Sequence, residues 1–162
     1  MYERIQNINF NMIHNENLYN FYSYYNLMLL PSEIEAKSLI PAIRAILAKK
    51  LINEYKMKEE VVAKVIGVTQ AAISNYIRGT RGDTELINKL SAIVEVMNKV
   101  DDIAQDLVAN RIYTPRTMAK FVELCNFMRY SLIICDVHHK MEANIDEQVC
   151  ELCKDSLIGS KF

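Results

Sequence analysis

Two groups of residues in this chain carry side chains whose types and spacing could do chemistry. The first is a run of short hydroxyl and amide side chains, Thr69, Gln70, Ser74 and Asn75, with Ala71 among them, between Gly67 and Arg78. Amides of Gln and Asn can pair bidentately with adenine, a Ser hydroxyl serves several bases, and an Ala methyl can touch the methyl of thymine. The second group is four cysteines within the last 38 residues, Cys125, Cys135, Cys150 and Cys153, spaced C-x9-C-x14-C-x2-C. Four thiolates complete a tetrahedral zinc site or hold an iron–sulfur cluster, and His138, three residues after Cys135, could replace one of them. Spacing does not separate zinc from iron–sulfur. It also leaves open plain burial of the thiols or disulfides. No GxxxxGK[ST], GxGxxG or HExxH occurs, so the common phosphate-cradling and zinc-hydrolase patterns are absent. His138 and His139 lie near thiols, but no oxyanion or substrate-pocket pattern accompanies them, so an enzyme is not expected, nor a small-molecule substrate.

The elements that must position these residues are helical. The chain has 162 residues, 51% of them apolar, with only 4 Gly and 3 Pro. That is enough apolar surface for a core and too few turn formers for an all-β fold. The longest apolar runs fall well short of the ~20 residues of a membrane span, and no secretory signal opens the sequence, so a cytoplasmic protein with no membrane partner is expected.

Residues 1–27 carry seven Asn and five Tyr with three charges. No period survives in them, and a weakly structured leader over residues 1–30 is expected, with Met28 a candidate alternative start. Charge divides unevenly along the chain. Residues 1–36 hold one Arg against four acids, residues 37–82 hold nine Lys/Arg against three Glu, and residues 83–162 hold nine against thirteen. A basic block between acidic flanks suits a polyanion partner.

Residues 33–56 read as a helix with Leu39, Ile43, Ile46, Leu47, Leu51 and Ile52 on its apolar face. Pro41 sets its start in the first turn, and Lys49 and Lys50 make its outer face basic. Residues 59–78 read as two short helices meeting at Gly67. Gly67 can adopt the left-handed backbone of a sharp turn, and Thr69 is a good N-cap. Val62, Ala63, Ile66, Val68, Ile73 and Tyr76 face inward. Gln70, Ala71, Ser74, Asn75 and Arg78 face outward.

After Asp83 and Thr84, the apolar residues Leu86, Leu90, Ile93, Met97, Val100, Ala104 and Leu107 alternate at intervals of four and three. That is a coiled-coil-like seam. Its second half, Met97, Val100, Ala104 and Leu107, is expected to pair with a second copy in a two-fold homodimer. Thr114 and Pro115 read as an N-cap and first helical position.

The pattern of residues 59–78, with its flanking helices over about residues 40–100, resembles a helix-turn-helix of the Cro/lambda-repressor (XRE) type. A wider stretch, LPSEIEAKSLIPAIRAILAKKL and then GVTQAAISNYIRGTRG, is similar to a group of archaeal predicted transcriptional regulators, which also have a cysteine- and histidine-rich tail. Met128 stands where that tail would suggest a further CxxC thiol.

The resemblance implies an all-α fold: a DNA-binding domain over residues 31–98, then a dimerisation helix and cysteine-rich module over residues 99–162. It implies a sequence-specific transcription regulator, which as a homodimer would read a palindromic duplex; the cysteine tail would sense metal or redox state if it held an iron–sulfur cluster, or stabilise a small terminal fold if it held zinc. Gln70, Ala71, Ser74 and Asn75 would read bases, while Lys58, Thr69, Arg78, Thr80 and Arg81 would hold phosphates. The tail would act by changing the spacing of two recognition helices. The competing expectation is a protein-interaction adaptor with a structural metal tail. The polar outer face of residues 70–78 lacks the aromatic anchors such a surface needs.

Overall fold

The computed structural model describes residues 29–142, 145 and 147–159. The expected leader lies outside them except for its last two residues. Among the described residues the chain is helical and contains no strand.

A helical rod opens the described chain. Helix α1 (Pro31–Ile34), a wider π turn (Glu35–Leu39) and α2 (Ile40–Asn53) follow one another without a break. The helix therefore begins ten residues before Pro41, not at it. Proline lacks an N–H and crowds the carbonyl one turn back, which ordinarily ends a helix. Here the turn ahead of Pro41 is widened, and such a bulge carries the backbone past a residue that cannot donate. The N-terminus of α1 is closed by Glu33, whose Oε2 accepts the Leu30 N–H at 2.9 Å.

Helix α2 is the hub of the fold. Ala42, Ile43, Ala45, Ile46, Leu47, Ala48 and Leu51 are all buried. A helix apolar on so many sides must be surrounded. It packs against α3 (Glu59–Ile66), α4 (Gln70–Arg78), α5 (Thr84–Ser91) and α6 (Val94–Asn110), and its alanines let those neighbours come close. From α3 and α4, Val62, Ala63, Ile66, Ile73 and Tyr76 point into this core as their spacing predicted, and Val68 packs against it half-buried. Asp83 caps α5, its Oδ1 accepting from the N–H groups of Glu85 at 2.9 Å and Leu86 at 3.1 Å.

The single long seam after Asp83 is not formed. The helix stops at Ser91, and Ile93 is extended (φ −91°, ψ 110°) before α6 begins at Val94. Val100, Ala104 and Leu107 are 0–1% exposed within one chain, and Met97 packs half-buried on the same cluster. The seam assigned to a second copy is thus filled by α2 and by α7 (Pro115–Tyr130). A 4–3 spacing marks an apolar stripe but not its occupant.

Thr114 caps α7 as expected, its Oγ1 accepting the Thr117 N–H at 3.1 Å with Pro115 in the first turn. Helices α8 (Ile133–Met141) and α9 (Glu147–Gly159) complete the described chain. Leu132, at φ 60°, makes the corner into α8. Helix α8 folds back onto α1, and the Leu29 N–H bonds Oε2 of Glu142 at 3.0 Å. One buried cluster therefore runs from Ile34 to Val137, and the boundary expected near residue 98 falls inside α6.

Candidate nucleic-acid interface

The turn between α3 and α4 is built by Gly67. It sits in the left-handed region (φ 74°), and its N–H and that of Val68 both reach the Ala63 carbonyl at 3.0 Å. A side chain in that conformation is strained, which is why glycine serves. Two residues later Thr69 is extended and its Oγ1 accepts the Ala72 N–H at 3.2 Å. The cap occupies an acceptor lone pair of this hydroxyl and leaves its O–H proton able to donate, as the phosphate role expected for Thr69 requires.

The polar face of α4 divides into two parts. Gln70 and Ala71, at its N-terminal end, are exposed, and the Gln70 side-chain amide makes no hydrogen bond among the described residues. Ser74 and Asn75 are half-buried. Asn75 is committed to its own chain: its Oδ1 accepts from Arg78 Nη2 at 3.0 Å and from Thr80 Oγ1 at 3.4 Å. Its carbonyl also accepts the N–H groups of Thr80 at 3.0 Å and Arg81 at 3.3 Å. Bidentate pairing of Asn75 with a base would require these bonds to its amide oxygen to open. Its amide oxygen fixes the turn after α4 and orients Arg78 and Thr80. The signal was present in the sequence as an Asn three residues before an Arg, the spacing of neighbours on a helix face.

The exposed cations around this face are Lys58, Arg78 and Arg81. Lys58 is the extended residue before α3. Arg78 lies at the last turn of α4, with its Nε donating to the Ser74 carbonyl at 3.3 Å. Arg81 stands over the Tyr76 ring, 5.5 Å from its centre. Tyr76 is buried, so a fixed ring holds this guanidinium through the attraction of a cation for a π face. Glu59 and Glu60 occupy the first turn of α3, where the helix dipole favours acids. Lys50, on the basic face expected of α2, is unavailable to an anion. It pairs with Asp101 at 2.7 Å and Glu54 at 2.8 Å. Hydrogen bonds to those carboxylates push its ammonium above the usual lysine range.

No protein family, curated protein or solved structure matches the chain.

The second candidate cluster, the thiols, separates in space. Cys125 lies on α7 beside Glu35 and Arg129. Burial pushes its thiol up to about 11, with the Glu35 charge adding to the effect. Cys135 on α8 instead feels Cys150 and Cys153 of α9, after a first contribution from burial, and burial likewise raises Cys153. His138 is turned away from all four, with Nε2 3.0 Å from Oε2 of Glu142. His139 makes the thiol contact, with Nε2 3.3 Å from the Cys150 sulfur. Among the described residues no three His, Cys, Asp or Glu side chains are arranged to hold a metal ion. The metal centre expected at Cys125, Cys135, Cys150 and Cys153, with His138 in reserve, has no preformed ligand group to support it among the described residues. The chain brings three thiols to one end and sends the fourth to another site. No helix among the described residues is long and apolar enough to cross a membrane.

Proposed function

We propose that the chain is a sequence-specific duplex-DNA-binding protein, a transcription regulator of the helix-turn-helix kind, which reads bases with the outer face of α4. The supporting observation is the uncommitted amide of Gln70 beside Ala71 at the N-terminal end of α4, just past the left-handed glycine turn, with Lys58, Arg78 and Arg81 exposed around it. A major groove admits one helix, and the N-terminal residues of a recognition helix go deepest. The cations around it would meet phosphates and set register without reading sequence.

The tail thiols have no part in this proposal, because the four do not converge. Val100, Ala104 and Leu107 are buried within one chain, so a second copy would have to meet another face.

The test is selection from a randomised duplex pool by the full chain, followed by binding of the enriched duplex across a salt series. The expected result is one enriched sequence and a fall of log K against log salt with a slope of about −3, for three cation–phosphate contacts. No enrichment over the starting pool would overturn the reading.

A further inference from the structure

Helices α2, α3, α6 and α7 line a cavity of about 380 Å³ that is open to solvent on one side, where Met118 and Val122 are exposed. Most of its wall is apolar, with Ile66, Phe121 and Val122 among the side chains that form it. Its volume lies in the range of pockets for small molecules, ~300–1,000 Å³. At ~30 Å³ for each water-sized group, it holds about a dozen of them.

The polar groups in this wall are few, and their charges do not cancel. Glu35 is bound by both Nε and Nη2 of Arg129, and so is neutralised within the wall. Arg44 also lines the cavity, is half-buried, and makes no hydrogen bond or ion pair among the described residues. Two guanidinium groups against one carboxylate leave one positive charge. The remaining polar groups are the Asn126 amide, which carries no charge, and the Tyr113 phenol and Cys125 thiol, which stay neutral near pH 7. Burial raises both, although the Arg44 charge pulls the Tyr113 phenol the other way. A guanidinium without a partner at an apolar surface is matched best by a carboxylate, which accepts from two of its N–H groups at once.

We propose that this cavity is a binding site for a small apolar monocarboxylate, its carboxylate on Arg44 and its hydrocarbon body among Ile66, Phe121 and Val122. A polyphosphate or dicarboxylate carries more charge than the wall can neutralise. A cation is repelled by Arg44, and a neutral alcohol leaves that guanidinium as it was. Ile66 is the last residue of α3, directly before Gly67, so an occupant touches the element that sets the direction of α4. The site itself stands independently of what α4 binds.

The experiment is calorimetric titration of the full chain with octanoate, octanol and octylamine, in the absence of DNA. Octanoate is expected to bind one per chain, at least tenfold more tightly than octanol, and octylamine not at all. Arg44→Met should weaken octanoate tenfold or more and leave octanol unchanged, while Arg44→Lys keeps octanoate within a few-fold. Thermal unfolding of each variant checks that it folds. Equal binding of octanoate and octanol, octanoate binding unchanged in Arg44→Met, or several octanoates per chain would each overturn the proposal. Because no duplex enters the titration, failure here is distinct from failure of the DNA-binding reading.

Discussion

Arg129 on α7 donates from Nη2 to Oε2 of Glu35 at 2.6 Å, across 94 positions of sequence, while its Nε bonds the other carboxylate oxygen. Glu35 is only 6% exposed. This bidentate pair ties the π turn of the opening rod to the C-terminal half of the chain. The hydrogen bonds that Arg129 donates to Glu35 also raise the guanidinium above its ordinary range.

Removing one partner should cost more than removing both. Arg129→Met leaves a carboxylate buried without its cation, a loss of about 3 kcal/mol, the lower end of the range because Arg129 is itself partly exposed. The double substitution Glu35→Met with Arg129→Met should be more stable than Arg129→Met alone. Urea unfolding of the three proteins checks this. A double variant that loses the sum of the two single losses would show that the pair is not coupled.

Leu107 distinguishes an internal core from a dimer seam. It is 1% exposed within one chain, so Leu107→Ala should lose ~2–5 kcal/mol by removing buried methyls and leaving a cavity. The loss should be the same at every protein concentration, and the sedimentation coefficient should not change. A loss that grows on dilution would return this residue to an interface between copies.

Cys125 should make stability fall in alkali. Its thiol is pushed up to about 11 from an ordinary 9.0, by burial first and the Glu35 charge second. Between those values the folded chain holds a proton that the unfolded chain has released. The contribution is therefore complete below about pH 9 and is lost as pH rises through about 11. Urea midpoints at about pH 8 and about pH 10.5 should differ less in Cys125→Val than in the parent chain. An unchanged difference would place the titration elsewhere.

Gln70 and Arg81 should fail in different ways if α4 reads DNA. Gln70→Ala should cost roughly 1–3 kcal/mol on the selected duplex and relax preference at one base pair. Arg81→Ala should weaken selected and scrambled duplexes alike and reduce the salt slope by about 1. It also loses its contact with the Tyr76 ring, worth about 0.5–1 kcal/mol of stability at an exposed site. Identical behaviour of the two variants on both duplexes would remove this division of roles.

Local chemistry alone set much of the helical plan. Gly67 needed only its own backbone freedom to make a turn, and Thr69, Asp83 and Thr114 needed only an oxygen within reach of the next few N–H groups. Interactions that span three or four residues are written in three or four residues. The inward set Val62, Ala63, Ile66, Ile73 and Tyr76 followed for the same reason, because a helix repeats every 3.6 residues. Pro41 does not start the helix, because the turn before it is a wider π turn, and Glu35 at the start of that turn is bound by Arg129 from far along the chain.

What required the third dimension was the identity of partners. The stripe from Met97 to Leu107 was plain in the spacing, but apolar burial is non-directional, so the same stripe can close a dimer or a monomer's core. Only the position of α2 and α7 decided it. The four cysteines shared a short stretch of sequence, yet the corner at Leu132 sent Cys135 towards α9 and left Cys125 with Glu35, Arg129 and the cavity that Arg44 lines. Closeness along the chain sets what can meet, and the path of the backbone between helices sets what does.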